Sequence, residues 1–242
     1  MGNLKRIGFF HFGKQKKADP IDSLRKSLST ESSLSDCLIV LPEAFNVPGG
    51  YLRGDSPDVS VCGALQGLST EKSVAFVAGM IEPRQGSTLG CNSAFLIDGA
   101  CCHLLSRKRQ CFRSDLYRVC QFDAPIAHRG LRIGALVCED ANCKEGHRAD
   151  VLKSIEALTP ADPIVLCVPA CMTSTCPEVV VRDCWPGTAA MVIANGDFRQ
   201  SSVIRIASLA ILEPAERETN TIRLKCYEGV ARDPGDVPKL TL

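Results

Sequence analysis

The apolar and polar positions of this chain form short uninterrupted apolar runs separated by turn-forming or charged residues. Runs of five to eight apolar residues with such boundaries are typical of buried β-strands. They predict strands at residues 7–12, 37–41, 74–81, 133–137, 164–168 and 189–194, with shorter strands at 203–206, 209–212 and 221–224. Strands therefore supply most of the predicted core.

Two segments have the spacing of amphipathic helices instead. Asp19 can cap a helix beginning at Pro20, because Ile21, Leu24 and Leu28 then recur on one face. A second helix is predicted where apolar residues recur between 151 and 158. The first helix separates the first two strands, so the chain opens in β-α-β order, which predicts a parallel strand pair with a right-handed crossover.

A β-hairpin is predicted at residues 94–105, with Asp98-Gly99 as a two-residue turn between its arms. Residues 46–58 are rich in proline and glycine and suit a loop that covers a site. No internal repeat, low-complexity tract or linker interrupts the pattern. Residues 1–242 are therefore predicted to form a single domain.

The composition and net charge of the chain indicate which class of partner it binds. With 45% hydrophobic residues, 23% charged residues and a net charge of +1, the chain resembles an ordinary globular protein. Its charges are interspersed, which argues against nucleic acid or an anionic membrane as partner. No signal-peptide pattern and no run of the ~18 apolar residues needed for a membrane helix is present. We expect a cytoplasmic protein with reduced cysteines that binds a small molecule or another protein.

Three polar residues each come within three residues after a predicted strand: Glu43, Lys108 and Cys138. Sites in α/β proteins are built at strand ends, so these side chains could converge on one pocket. There, Lys108 would favour the Cys138 thiolate, Glu43 could take the thiol proton, and the thiolate could attack an amide or nitrile carbon. Taken singly, each residue has an ordinary structural explanation, as a core thiol, a strand-end carboxylate or a surface cation.

The same residues resemble, in order, the motifs of the carbon–nitrogen hydrolase (nitrilase) superfamily. Residues 39–45 (IVLPEAF) are similar to the segment with the family's glutamate, Arg107-Lys108 to the lysine segment, and residues 134–140 (GALVCED) to the nucleophile segment. The resemblance continues through residues 165–170 and 191–195, and so covers nearly the whole chain.

The resemblance implies an α/β fold, a four-layer α-β-β-α sandwich with two mixed β-sheets. It also implies a homodimer or higher homo-oligomer, because subunits of the family commonly pair across helices. In the implied mechanism Cys138 is the nucleophile, Glu43 the general base and Lys108 the electrostatic stabiliser. The substrate is a small-molecule amide, and no metal or organic cofactor takes part.

The sequence departs from the family pattern after the lysine and also after the nucleophile, where Ala141-Asn142-Cys143 replaces the Phe-Pro-Glu often found there. Many members have a second glutamate after the lysine, whereas no glutamate occurs between Lys108 and Cys138, so Asp115 is the candidate to replace it. Asp115, Glu139 and Met172 are predicted to contact the substrate. Substrate class therefore depends on loops that the sequence pattern does not define.

The leading hypothesis is an amidase that acts on a small carboxamide. A nitrilase is disfavoured because no tryptophan comes directly after Cys138. A glutaminase-type ammonia supplier stays open because residues 138–140 resemble the nucleophile segment of glutamine-dependent NAD synthetase. The non-enzyme alternative is a binding protein that keeps the fold without the chemistry. A zinc site is disfavoured because no cysteine and histidine pairs have the short paired spacing of structural zinc sites.

Overall fold

The structure is a computed structural model. It describes residues 3–11, 19–31, 33–47, 57–83, 90–108, 116–117, 121–122, 125–138, 140, 164–170, 188–195, 202–205, 210–211 and 221–226. The helix predicted at 151–158 lies outside these ranges, as do Asp115, Glu139 and Met172.

Two helices and fourteen strands lie in this part of the chain. The helices are α1 (Pro20–Ser29) and α2 (Ser60–Lys72), and neither is long and apolar enough to cross a lipid bilayer. The first sheet contains β1 (Arg6–His11), β2 (Cys37–Leu41), β3 (Ala75–Pro83), β4 (Gly90–Asp98), β5 (Cys101–Arg107), β6 (Leu116–Tyr117), β7 (Gln121–Phe122) and β14 (Thr221–Cys226). The second contains β8 (Ile126–His128), β9 (Leu131–Ala135), β10 (Ile164–Ala170), β11 (Thr188–Asn195), β12 (Ser202–Arg205) and β13 (Ala210–Ile211).

Both sheets are mixed. The first has the order β14-β1-β2-β3-β4-β5-β7 with β6 beside β4, and the second has the order β13-β12-β11-β10-β9-β8. The central pairs β1–β2, β2–β3, β9–β10 and β10–β11 are parallel, and antiparallel strands flank them. This confirms the predicted α/β fold with two mixed sheets. It also confirms the parallel β1–β2 pair expected from the opening β-α-β order.

Strand β2 of the first sheet is buried on both faces, and it shows how one apolar run contributes to two cores. Successive side chains of a strand point to opposite faces. Leu38 and Val40 accordingly pack in the core between the two sheets, whereas Cys37, Ile39 and Leu41 pack in a second core beneath α1 and α2. All five are fully buried, which explains why the run contains no polar residue.

Helix α1 begins where the sequence predicts it. The Asp19 carboxylate accepts hydrogen bonds from the backbone N–H groups of Ile21 and Asp22, at 2.7 and 3.3 Å. These bonds satisfy two of the donors that a helix leaves free at its first turn. Leu24 and Leu28 are buried against the first sheet, as their spacing indicates.

Helix α2 is absent from the elements predicted from the sequence. Its apolar side is narrow, with Val61, Leu65 and Leu68 buried. Gly63 and Gly67 occupy exposed positions of the same helix, and glycine is among the weakest helix formers. The two glycines therefore weaken the helical pattern of the sequence, although tertiary packing stabilises the helix.

We expect Gly63→Ala and Gly67→Ala each to raise the free energy of unfolding by about 0.5–1 kcal/mol. A β-carbon at either position meets no atom within 4 Å, so only the conformational cost of glycine is removed. Urea denaturation of the single variants measures the effect. An unchanged or lower denaturation midpoint would contradict the exposed helical position of these residues.

The turn of the β4–β5 hairpin lies one residue later than predicted. Asp98 pairs with Cys101, so the two-residue turn is Gly99-Ala100 and not Asp98-Gly99. Gly99 has a φ of 58°, a conformation that glycine adopts without steric cost, and this fixes it as the first turn residue. Its N–H donates to Ser69 Oγ of α2 at 2.7 Å, which attaches the turn to the helix.

Candidate active site

Glu43 lies just beyond the end of β2, between the two sheets. Its backbone N–H donates to the Ala170 carbonyl at the end of β10 at 3.4 Å, and the Phe45 N–H donates to the Gly79 carbonyl of β3 at 2.8 Å. The segment after β2 is thus attached to both sheets. Only 6% of Glu43 is exposed, so its carboxylate needs partners inside the protein.

The partners of Glu43 are a lysine and an amide. Lys108 Nζ donates to Glu43 Oε1 at 2.7 Å, and each of the two side chains is only 1% exposed. Asn92 Nδ2 donates to the same oxygen at 2.5 Å. The backbone carbonyl of Asn92 accepts from the Lys108 backbone N–H at 2.7 Å. Asn92 therefore holds both members of the ion pair. A charged pair fixed in this way offers a base and a cation at one point of the interior.

A β-bulge in β5 determines the face on which Lys108 lies. Leu105 is the extra residue, because its two neighbours pair with the consecutive residues Ala94 and Phe95 of β4. Lys108 then follows opposite Asn92, on the face toward the second sheet. One residue fewer would exchange the two faces and carry the lysine to the side covered by the helices.

Arg107, the residue before Lys108, lies on the opposite face of the first sheet. Arg107 Nε and Nη2 donate to the two carboxylate oxygens of Glu82 on β3, at 2.8 and 3.1 Å. Burial disfavours the Glu82 carboxylate, but hydrogen bonds from Arg107 and Ser93 and the Arg107 charge outweigh it and lower the pKa of Glu82. Arg107, the last residue of β5, and Lys108, which follows it, thus pair with carboxylates on opposite faces of the first sheet.

Cys138 follows the end of β9, the strand that pairs with β10. The parallel ladder places Ala135 opposite Cys167 of β10, and the Leu136 N–H continues it by donating to the Cys167 carbonyl at 3.0 Å. Cys138 comes three residues after Ala135, past the end of β9, and Ala170 is the last residue of the neighbouring β10, where its carbonyl accepts from the Glu43 N–H. The topology thus brings Cys138 to the same strand ends as the Glu43–Lys108 pair.

The backbone at Cys138 is in an unusual conformation. Its φ of 51° lies in the left-handed region, which residues with a β-carbon adopt at a cost. The Asp140 N–H donates to the Val137 carbonyl at 3.1 Å and closes the turn, and Asp140 itself is 2% exposed. Backbone strain of this kind clusters at functional sites, where neighbouring structure enforces it.

Two other cysteines of the described ranges lie deeper in the strands. Burial raises the pKa of Cys37 to about 12, and burial raises the pKa of Cys167 as well. Both thiols therefore stay protonated near neutral pH and are poor nucleophiles. Cys138, in contrast, lies past the end of its strand, at the edge of the second sheet where the Ala170 carbonyl binds the Glu43 backbone.

Gly79 permits the close approach of the Glu43 segment to both sheets. A β-carbon at this position would lie 2.6 Å from Pro169 Cβ and 2.8 Å from Glu43 Cα. Neither neighbour is the flexible end of a long side chain, so the backbone would have to move. Glycine at position 79 is therefore required by packing against the segment that carries the carboxylate.

We expect Gly79→Ala to lower the free energy of unfolding by about 1–3 kcal/mol, as overpacking does. It should also lower the catalytic rate by about 10- to 100-fold in any reaction that uses Glu43, because the carboxylate segment is displaced. Gly63→Ala is the matched control, since the same added methyl group there meets no atom within 4 Å. Full activity of Gly79→Ala would contradict this close approach.

The structure therefore brings together two of the three residues predicted from strand ends, Glu43 and Lys108, and the third, Cys138, follows β9, which pairs with the strand whose end binds the Glu43 backbone. Sequence reasoning missed Asn92, Gly79 and the bulge at Leu105. The one available signal was Asn92, an amide side chain just before the apolar run of residues 94–97, and it is fully buried in the structure. The predicted pocket residues Asp115, Glu139 and Met172 lie outside the described residues.

Sequence comparison identifies a family match. The family described as carbon-nitrogen hydrolase matches residues 28–178, which is more than half of the 242 residues and includes Glu43, Lys108 and Cys138. No curated protein sequence gives a significant match to the chain.

Fold comparison finds solved structures of an amidase from Nesterenkonia sp. AN1, assigned to the nitrilase superfamily. A cysteine-to-alanine mutant of that amidase has a TM-score of 0.66 and 16% identity, over 93% of this chain and 91% of that chain. A double mutant in complex with acrylamide has a TM-score of 0.69 and 16% identity, over 94% and 92%. A third structure, which shows covalent addition of the acetamide moiety of fluoroacetamide at the active-site cysteine, has a TM-score of 0.67 and 17% identity, over 93% and 91%. At these identities the similarity establishes the fold.

Proposed function

Because the chain belongs to the carbon-nitrogen hydrolase family, we propose that it is an amidase that hydrolyses a small carboxamide through a thioester on Cys138. The observation that carries the proposal is the buried Glu43–Lys108 pair, 2.7 Å apart, at the strand ends that Cys138 also reaches. An acid, an amine and a thiol at one site are the groups needed for nucleophilic attack on an amide carbon.

Acylation begins when Glu43 takes the thiol proton of Cys138 and the sulfur attacks the amide carbon. The carbonyl oxygen of the substrate becomes negatively charged in the tetrahedral adduct. Lys108 is a fixed cation in an interior that excludes water, where such charge is stabilised more strongly than in water. Its hydrogen bond to Glu43 keeps the amine in place before the substrate arrives.

The adduct then collapses. The C–N bond breaks, Glu43 returns the proton to the departing nitrogen, and ammonia or an amine leaves while the acyl group stays on sulfur. Water replaces the amine, gives a proton to Glu43 and attacks the thioester carbon. Release of the carboxylic acid returns the proton to the Cys138 sulfur, so the net reaction is amide plus water to acid plus ammonia or amine.

The depth of the site supports a small substrate. Glu43 and Cys138 are each 6% exposed and Lys108 is 2% exposed, so a ligand must be slim to reach the three groups. Asn92 holds the Glu43 carboxylate by one oxygen, which leaves the other oxygen to exchange protons. Asp115, Glu139 and Met172 remain our candidates for the residues that select the acyl group.

The proposal is tested by measuring ammonia release from short aliphatic carboxamides, the matching nitriles and glutamine. We expect turnover of at least one short carboxamide and none of its nitrile. Turnover of glutamine alone would favour the glutaminase-type alternative. Cys62→Ser, a cysteine substitution far from the strand ends, is the control for general effects of cysteine replacement. Absence of ammonia from every amide by the folded protein would refute the proposal.

A further inference from the structure

Two cysteines unrelated to the catalytic proposal face each other on the outer side of the first sheet. Cys62 Sγ of α2 lies 3.9 Å from Cys102 Sγ of β5, although 40 residues separate them in sequence. Cys62 is partly buried and Cys102 is exposed, so small reagents can reach the pair. Formation of a disulfide would bring the two sulfurs from this distance to about 2.05 Å by rotation of the side chains.

Two hydrogen bonds hold the elements that carry these thiols. Gln66 Nε2 of α2 donates to the Ala100 carbonyl in the hairpin turn at 2.9 Å, and the Gly99 N–H donates to Ser69 Oγ at 2.7 Å. Both contacts lie within two turns of Cys62 on the helix and within three residues of Cys102 on the hairpin. The close approach of the sulfurs is therefore fixed by the docking of α2 on the hairpin.

We propose that Cys62 and Cys102 are a reversible disulfide site that reacts with low-molecular-weight disulfides such as oxidised glutathione. The Cys62 thiolate attacks one sulfur of the reagent, forms a mixed disulfide and releases one thiolate. The Cys102 sulfur, after losing its proton to solvent, attacks the Cys62 sulfur and releases the second thiolate. The two protein thiols are oxidised, and the reagent disulfide is reduced to two thiols.

The surroundings of Cys102 disfavour its thiolate. Although part of Cys102 is exposed, burial of the rest raises the pKa of Cys102 to about 12, and the charge and hydrogen bond of Cys62 contribute further to the increase. Once Cys62 is held in a mixed disulfide, its sulfur no longer carries the charge that opposes ionisation of Cys102. The first step thus prepares the second.

The cross-link acts on stability and leaves the chemistry of the strand ends unchanged. Cys102 pairs with Ile97, whose side chain packs under the helices, so the disulfide lies on the face opposite Lys108. It would close a loop of about 40 residues between helix and hairpin, which restricts the unfolded chain. We expect the oxidised protein to have a Tm about 5–10 °C above that of the reduced protein.

The test treats the folded protein with oxidised glutathione, blocks free thiols with N-ethylmaleimide and analyses tryptic peptides by mass spectrometry. The expected product is a cross-link of residues 54–72 to residues 85–107, two hydrogen atoms lighter than the separate peptides, and dithiothreitol should reverse it. Cys62→Ser and Cys102→Ser should abolish both the cross-link and the Tm increase.

Cys101→Ser is the matched control, because Cys101 is also exposed and adjacent to Cys102 but is not the residue facing Cys62. This variant should keep the cross-link and the Tm shift. Stable glutathione adducts on both peptides without a cross-link would overturn the proposal. A cross-link that persists in Cys102→Ser would overturn it equally, since another cysteine of residues 85–107 would then be the partner.

Discussion

Cys138→Ala is expected to lower kcat for carboxamide hydrolysis by at least about 10⁴-fold while the protein stays folded. Without the sulfur no covalent acyl carrier exists, and the remaining cation and carboxylate can only assist direct attack by water. Alanine adopts the φ of 51° at this position at a cost similar to that of cysteine, so the strained turn should persist. Steady-state ammonia release measures the effect, and circular dichroism and Tm check the fold.

The control for this prediction is Cys167→Ala, which removes a fully buried thiol from β10, the strand that pairs with β9. That variant should lose stability because of the small cavity and keep a measurable part of its activity. If Cys138→Ala retained more than about one tenth of the wild-type kcat, a covalent role of Cys138 would be contradicted.

Lys108→Met should abolish measurable hydrolysis and also lower the free energy of unfolding by about 3–5 kcal/mol. The two side chains of the Glu43–Lys108 pair are 1% exposed, so removal of the cation leaves a buried carboxylate without a countercharge. Methionine has a similar length and fits an apolar surrounding, so the loss is electrostatic and not a cavity effect. Chemical denaturation and ammonia release measure the two consequences.

Two further variants make this prediction specific. Glu43→Gln in the Lys108→Met background should recover most of the lost stability, because no uncompensated charge remains, but should recover no activity. Arg107→Met, one residue earlier, breaks the partly exposed pair with Glu82 and should cost about 1 kcal/mol or less. If Lys108→Met destabilised the protein no more than Arg107→Met, the buried pair would not exist as described.

The sequence predicted best those strands that consist of an uninterrupted apolar run. The run at 37–41 matches β2, which is fully buried, and the predictions at 164–168 and 189–194 fall within β10 and β11. Helix α2 was not predicted because Gly63 and Gly67 weaken the helical pattern of its sequence. The hairpin turn was displaced by one residue because an Asp-Gly pair suits a turn equally well in two positions.

The sequence predicted the charged residues of the candidate site but not the residues that position them. Glu43 and Lys108 could be named because each follows a strand and matches a family motif, and the structure brings them together. Asn92, Gly79 and the bulge at Leu105 act through strand register and close packing, which depend on partners far away in sequence. The roles of Asp115, Glu139 and Met172 stay predictions.

The most direct test of the account is mass spectrometry of protein that is acid-quenched during turnover of a short carboxamide. We predict an acyl group on the tryptic peptide of residues 133–144, placed by fragmentation on Cys138 and not on Cys143, and absent from Cys138→Ala. Hydroxylamine should remove it, as expected for a thioester. Release of ammonia with no acyl group on Cys138, or with the acyl group on another residue, would contradict the proposed catalyst.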